Sequence, residues 1–317
     1  MIDIRPFDAE IDEYHELRCA VYRMDYPELS PPTRAATVSQ LGTPSAQLGE
    51  RLMWRARLDG RLAGVSTCYL PVDGNDHVGI VNIVVHPDCR RRGVATKLLG
   101  IVEPMLRARG RTVIEGTHVT EDGAGGHWTR ARGFRVVHTA INQILDLDDV
   151  DRGRWEVAVP ELYRLVHWSG DAPEHLVESY AQARTAIGDA PHGFATPDWT
   201  VDRVRRIEAE QAERGVECRT VVAVDSAGEV VGLTELELRP LNPARLFQGD
   251  TAVLAAHRGH GLGLAMKAAM LRWFVPDRPA AREVWTSTGA TNVHMAEVNH
   301  RLGFRTVLRS SAVKREL

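Results

Sequence analysis

Two short segments combine arginine with closely spaced glycine: Arg90-Arg91-Arg92-Gly93-Val94-Ala95-Thr96 and Arg258-Gly259-His260-Gly261-Leu262-Gly263-Leu264. Glycine at spacing two (Gly261 with Gly263; Gly93 with Ala95 in the first) keeps side chains clear of the backbone, so an anion can approach consecutive N–H groups. Where such a turn joins a strand to a helix, the helix dipole adds partial positive charge, and the result is a cradle for a pyrophosphate. Arg90, Arg91 and Arg258 could add side-chain charge. The segments lack the Lys-[Ser/Thr] pair of a Walker A loop and the first glycine of the dinucleotide-binding fingerprint. Taken alone, the pattern also fits a plain helix start.

The elements around both segments repeat. Ala63-Gly64 answers to Val231-Gly232, Gly93 to Gly261, and Gly133-Phe134 to Gly303-Phe304, all at an offset of 168 to 170 residues. Three landmarks in one order indicate a duplicated domain of ordinary single-domain size. The acidic stretch Asp146 to Gly153 suggests the joint, giving domains 1–150 and 151–317. Each copy reads as strand, turn, strand, strand, loop, helix, strand, helix. In the first, 52–58 and 62–70 flank the hairpin turn Asp59-Gly60, and the β-branched run 78–85 reads as a buried strand stopped by His86-Pro87. Val94, Leu98, Ile101, Val102 and Met105 then follow a helical period, with Pro104 expected to kink the helix. In the second, 220–224 and 230–238 form the hairpin, 250–254 enters the loop, and a helix from Leu262 stops before Pro276. Asn292 fits a helix N-cap.

Composition sets limits. The chain has 317 residues, with Lys+Arg 39 against Asp+Glu 42 and a net charge of −3. That balance gives no footprint for nucleic acid or an anionic membrane. Only Lys97, Lys267 and Lys314 are lysines, which fits a GC-rich coding bias better than phosphate binding. Cys19, Cys68, Cys89 and Cys218 are scattered without a C-x-x-C pair, so neither a metal site nor a disulfide framework is expected. No apolar run nears a membrane span, and the start lacks a signal-peptide core. The expectation is a soluble cytoplasmic protein, monomer or homodimer.

The ordered set of β-hairpin, buried strand, R-x-x-G-x-[GA] loop, amphipathic helix, strand and short helix ending in Gly-Phe resembles the GNAT acetyltransferase superfamily. The residues carrying it are Val85-His86-Pro87, Arg90 to Ala95 and Gly133-Phe134, then Val253, Arg258 to Gly263, Asn292 and Leu302-Gly303-Phe304. Its double occurrence is similar to tandem GNAT proteins of actinobacteria, with a two-copy layout like that of mycothiol synthase but without its motif detail. The resemblance implies an α/β (α+β) fold: two tandem GNAT domains, each a mixed, mostly antiparallel sheet flanked by helices. It also implies acetyl-CoA or another acyl-CoA as co-substrate. The pyrophosphate would sit on the loop amides, at Arg90, Arg91, Arg92, Gly93, Val94, Ala95 and Thr96, and at Arg258, Gly259, His260, Gly261, Leu262, Gly263 and Leu264. The pantetheine arm would run beside Ile83, Val84 and Val85 or Thr251, Ala252 and Val253, helped by Asn292.

The chemistry so implied is attack of a neutral amine on a thioester, with Val85 or Val253 N–H as oxyanion donor. Many members carry a tyrosine acid five residues before the Phe of Gly-Phe. Thr129 and Asn299 stand there, and neither is a phenolic acid; Asn299 could hydrogen-bond the sulfur or a water instead. Candidate bases in the second copy are Glu235 and Glu237, alternating along one strand face, and Asp250 at the loop strand's entry. In the first copy they are His118 and Glu115. A solvated strand face is the bland reading for each carboxylate. Asp25-Tyr26-Pro27-Glu28 and the loop Asp189 to Asp198, with Phe194 and Trp199, could line an acceptor cleft for a cationic amine. The expected function is acetyl transfer to a primary amine of a small molecule, mainly in the second copy. A non-catalytic acyl-CoA sensor and a protein N-acetyltransferase are the alternatives.

Overall fold

The computed structural model of the chain describes residues 1–8, 11–42, 48–72, 74–189 and 198–317. In chain order the first elements are β1 (Ile2–Pro6), α1 (Ile11–Asp25), α2 (Arg34–Gln40), β2 (Glu50–Leu58), β3 (Arg61–Leu70), β4 (Val78–Val85), α3 (Val94–Ala108), β5 (Val113–Val119), α4 (Ala124–Ala131) and β6 (Arg135–Asp146). They continue with β7 (Arg164–Ser169), α5 (Val177–Arg184), α6 (Val201–Glu213), β8 (Glu217–Val224), β9 (Val230–Leu238), β10 (Arg245–Val253), α7 (Leu262–Phe274), β11 (Glu283–Gly289), α8 (Val293–Arg301) and β12 (Arg305–Glu316).

Two compact units result. Among the described residues, one comprises Met1–Thr139 with Ser310–Leu317, the other 140–189 with 198–309. The first unit orders its strands β1-β2-β3-β4-β5-β12, the second β6-β11-β10-β9-β8-β7. In each, the only parallel pair among the described strands is the one spanned by the helix after the glycine loop: β4 with β5, and β10 with β11. The last strand of each unit comes from the other repeat. β12 pairs antiparallel with β5 from Ser311↔Val119 to Glu316↔Val113, and β6 pairs antiparallel with β11 from Asp146↔Glu283 to Ala140↔Gly289.

Local chemistry explains the shared elements. Asp59 and Gly60 both take positive φ, 53° and 85°, as a two-residue hairpin turn with the strands' own twist requires. The repeated glycines of β3 and β9 are packing positions. A Cβ on Gly64 would stand 3.0 Å from Val94 Cγ1, and one on Gly232 would stand 3.1 Å from Met266 Cε, so glycine lets the following helix seat on the sheet. α3 then buries Leu99, Val102 and Leu106 against Cys68, Val81 and Ile114. α7 buries Met266, Met270 and Phe274 against Leu236, Leu246 and Val284. Each such side chain stabilises its unit by ~1.5–3 kcal/mol.

Three features depart from the sequence reading. α3 runs unbroken through Pro104. β10 begins at Arg245, five residues before the expected strand, because a register shift between Gln248 and Thr251 interrupts its alternation. β6 and β12, twelve residues each, follow the Gly-Phe landmarks, where the sequence pattern gives no strand.

Candidate functional site

The parallel ladder between β4 and β5 ends after Ile80↔Glu115, and the strands part. Beyond that point the edge of β4 facing β5 has no ladder partner among the described residues. His86 N–H donates to the Ala63 carbonyl at 2.9 Å, on the β3 side. By alternation, the N–H groups of Ile83 and Val85 point to the opposite, open edge. Asn82 marks the fork: its Oδ1 accepts from Thr117 N (3.2 Å) and Oγ1 (3.1 Å). The second unit repeats this arrangement. The β10–β11 ladder stops after Phe247↔Trp285, and Leu254 N–H donates to the Val231 carbonyl, leaving those of Thr251 and Val253 on the other edge while Ala252 alternates with them.

Both glycine loops have the geometry of a helix-start cradle. Gly93 and Gly261 are left-handed N-caps at φ 83° and 77°, with no side-chain cap. A Cβ built at Gly93, Gly259, Gly261 or Gly263 meets nothing within 4 Å, so the approach to the backbone is open. The first intrahelical bonds are Lys97 N–H to Gly93 and Ala265 N–H to Gly261. The preceding amides, at Val94, Ala95 and Thr96 and at Leu262, Gly263 and Leu264, are therefore free of helical acceptors. Leu262 and Leu264 bury their side chains in the core, so only their backbone is offered.

The loop arginines divide by role. Arg90 forms a two-pronged ion pair with Asp25, and its Nε donates to the Val85 carbonyl. Arg258 Nε makes the matching bond to the Val253 carbonyl at 2.9 Å. Arg92 pairs with Asp59 on the surface. Arg91, at φ 62°, takes part in no ion pair among the described residues and lines the cavity described next. His260 packs near the ring of Tyr163.

In the first unit the fork opens into a cavity of about 1040 Å³, the upper end of the size range for cofactor sites. Its walls include Ile83, Val84 and Val85, then Arg90, Arg91 and Gly93, then Val94, Ala95 and Thr96. Thr117, His118 and Thr120 form the β5 side, and Asp25 and Tyr26 close it from the end of α1. The cavity thus brings together the first-copy residues expected at a pyrophosphate and pantetheine site, except Arg92. Glu115 is buried, with its pKa raised by desolvation, and does not line the cavity.

The second-unit carboxylates are engaged. Glu235 is ion-paired with Arg184 and accepts from Tyr180 Oη at 2.7 Å. Arg184 also reaches Asp250 at 3.2 Å and lies 4.1 Å from the Trp199 ring centroid. Burial opposes the charge of Arg184, but Glu235, Tyr180 and Asp250 outweigh it and hold the guanidinium charged. Burial and the nearby Glu235 push the Asp250 carboxyl upward, against the pull of Arg184. Glu237 accepts from Gln211 Nε2 at 3.3 Å and pairs with Arg239. Asn292 caps α8, its Oδ1 accepting from Met295 N–H. Asn299 is fully buried and donates to Gln143 Oε1 at 2.8 Å, while Thr129 is buried and bonded to the Gly126 carbonyl. Phe194 and the loop from 190 to 197 lie outside the described residues.

Sequence reasoning does not reach the Asp25–Arg90 clamp, the Arg184 cluster or Lys267. The last stands six residues after Gly261, where the first unit has Leu99 six after Gly93. Leu99 lines the cavity, whereas Lys267 is fully buried and donates to Gln248 Oε1 at 2.9 Å. Desolvation lowers its pKa to about 7. Its departure from an otherwise apolar helix face is the available signal.

A fork of parallel strands, an open strand edge and an uncapped glycine-led helix recur in both units. The acetyltransferase (GNAT) family model matches residues 11–134 and 184–304, and the chain belongs to that family. It is similar over its whole length to a tandem GNAT protein from the clavulanic acid biosynthesis pathway, with 26% identity, 98% of that chain covered and a TM-score of 0.79. A GCN5-related N-acetyltransferase from Sphaerobacter thermophilus matches 99% of this chain and 95% of its own at 17% identity, with a TM-score of 0.75. A glucosamine N-acetyltransferase region of a fungal multi-domain β-N-acetylglucosaminidase matches 99% of this chain and 38% of its own, at 16% identity and a TM-score of 0.68. No curated protein matches the sequence significantly. The chain is therefore an acetyltransferase-family enzyme with two tandem GNAT domains. No helix among the described residues is long and apolar enough to cross a membrane.

Proposed function

We propose that the chain transfers an acetyl group from acetyl-CoA to a primary amine of a small molecule, and that acetyl-CoA is held in the cavity of the first unit. The observation carrying this reading is the cavity itself: one space of about 1040 Å³ touches the open edge of β4, the uncapped start of α3 and Arg91. It differs from the expectation that catalysis belongs mainly to the second copy, because there Glu235 and Asp250 are tied to Arg184 and Lys267 occupies the place of Leu99.

In this reading the amides of Gly93 to Thr96 receive the pyrophosphate and Arg91 adds charge at the phosphates. The N–H groups of Ile83 and Val85 pair with the pantetheine arm as an added strand would. Val85 N–H is then placed to stabilise the oxyanion formed at the thioester carbonyl. The Asp25–Arg90 pair fixes the end of β4 relative to α1 and leaves Arg91 as the arginine directed to ligand.

The test is thiol release from acetyl-CoA in the presence of a panel of primary amines, including aminoglycosides. Amine-dependent release supports the reading. Tight acetyl-CoA binding without turnover on any amine would favour an acyl-CoA-binding protein instead.

A further inference from the structure

The usual acid position of the first unit is spent: Thr129 is buried and bonded to its own helix. The cavity nevertheless contains two groups able to move protons. His118 lies at the end of β5 with φ 58°, a left-handed conformation uncommon for residues other than glycine. Such a conformation persists only where the surrounding structure fixes it. The turn it produces presents the imidazole on the cavity wall, open to the cavity, with Nδ1 within 3.1 Å of Thr117 Oγ1. Thr117 is in turn bound to Asn82 across the fork, so the imidazole is tied to the residue that marks the strand separation. Tyr26 follows α1 directly and lines the same cavity, as does Thr120, two residues beyond His118.

We propose that His118 and Tyr26 are the proton-handling pair for acyl transfer in the first unit. The proposal rests on the reading that acetyl-CoA occupies this cavity. His118 takes one proton from the acceptor's ammonium, giving the free amine. The amine nitrogen bonds to the thioester carbonyl carbon and the C–S bond breaks. Tyr26 protonates the departing thiolate and recovers a proton from the nitrogen, which becomes the amide. The imidazolium then releases its proton to solvent, so one proton leaves for each amide and thiol formed.

The protonation states fit these roles. His118 is exposed to the cavity space, and the walls around it lower its pKa by desolvation, which favours the neutral, proton-accepting imidazole. Desolvation raises that of Tyr26, keeping the phenol protonated and able to donate. The other charged or titratable groups on the cavity wall are Cys89, Asp25, Arg90, Arg91, His127 and Arg132. Asp25 is neutralised by Arg90, and His127 Nδ1 is engaged by Arg130 at 2.9 Å.

The experiment compares wild type, His118→Asn and Tyr26→Phe, asparagine being chosen because it tolerates positive φ. Acetyl-CoA affinity is measured by calorimetry, and turnover is followed against pH with the fastest amine of the panel. The expected result is near-unchanged affinity, turnover reduced about 10²-fold or more in each variant, and loss of the acidic limb of the pH profile in His118→Asn alone. Unchanged affinity with wild-type turnover and profile in both variants would overturn the pair and leave the binding reading intact. Failure of wild type to bind acetyl-CoA would overturn both. Should no amine react, NMR of the histidine rings decides: a His118 signal that shifts on adding acetyl-CoA supports the proposal, and an unmoved signal overturns it.

Discussion

Arg90 and Asp25 meet in a two-pronged ion pair, Nη1 to Oδ1 at 2.8 Å and Nη2 to Oδ2 at 2.6 Å, while Arg90 Nε donates to the Val85 carbonyl. The first arginine of the loop is thereby an internal clamp. Both side chains are about a quarter exposed, 22% and 28%, so the pair is screened in part. A double-mutant cycle with Arg90→Gln and Asp25→Asn, followed by chemical denaturation, is expected to give a coupling of ~1 kcal/mol. Both variants should also weaken acetyl-CoA binding. Additive effects on stability would show the clamp to be energetically idle.

Glu235 is a candidate base by its alternation along β9, and it is bonded to Arg184 and Tyr180; in the proposed reading it braces the buried guanidinium. Glu235→Gln removes the main counter-charge of a buried guanidinium, with Asp250 left as a partial substitute. We expect stability to fall by ~2–4 kcal/mol, with acetyl-CoA affinity and turnover per folded molecule unchanged. Thermal melts and active-site titration separate the two effects. A stable variant that has lost turnover would return Glu235 to the catalytic role.

Lys267 makes the stability of the second unit depend on pH. Its pKa is 10.5 in an unfolded chain and about 7 when folded. Below 10.5 the unfolded chain takes up a proton that the folded one refuses, so the folded state loses ground as pH falls toward 7 and no further below it. Lys267→Met should therefore be more stable than wild type by on the order of a few kcal/mol at neutral pH, less about 1 kcal/mol for leaving Gln248 Oε1 without its donor. The advantage should shrink steadily from pH 7 to pH 10. A difference independent of pH would mean that Lys267 is charged in the folded protein.

Much of the frame is legible because its signals are local. Asp59-Gly60 specifies its turn by backbone conformation, 78–85 is rich in β-branched residues, and Asn292 caps the helix it precedes. β6 and β12 are not legible. Arg305 to Glu316 is largely polar, and no local pattern says that its last residues pair with β5, far earlier in the chain. The same limit hides the site's ion pairs. Asp25 and Arg90 are 65 residues apart and Arg184 and Glu235 are 51 apart, and a single sequence carries no signal that such charges meet. The two loops look alike as sequence. What sets them apart is the side chain six residues further on, Leu99 in the first and the buried Lys267 in the second.

Which unit holds acetyl-CoA is best tested by parallel calorimetric titrations of Gly93→Glu and Gly261→Glu. Each puts a carboxylate into an open, left-handed cap of similar geometry, φ 83° and 77°, so strain is matched and repulsion of the pyrophosphate is the variable. Thermal melts confirm that both variants fold. The account predicts that Gly93→Glu loses most acetyl-CoA affinity together with amine-dependent thiol release, while Gly261→Glu retains both. Loss in Gly261→Glu with retention in Gly93→Glu would contradict it and move the chemistry to the second unit.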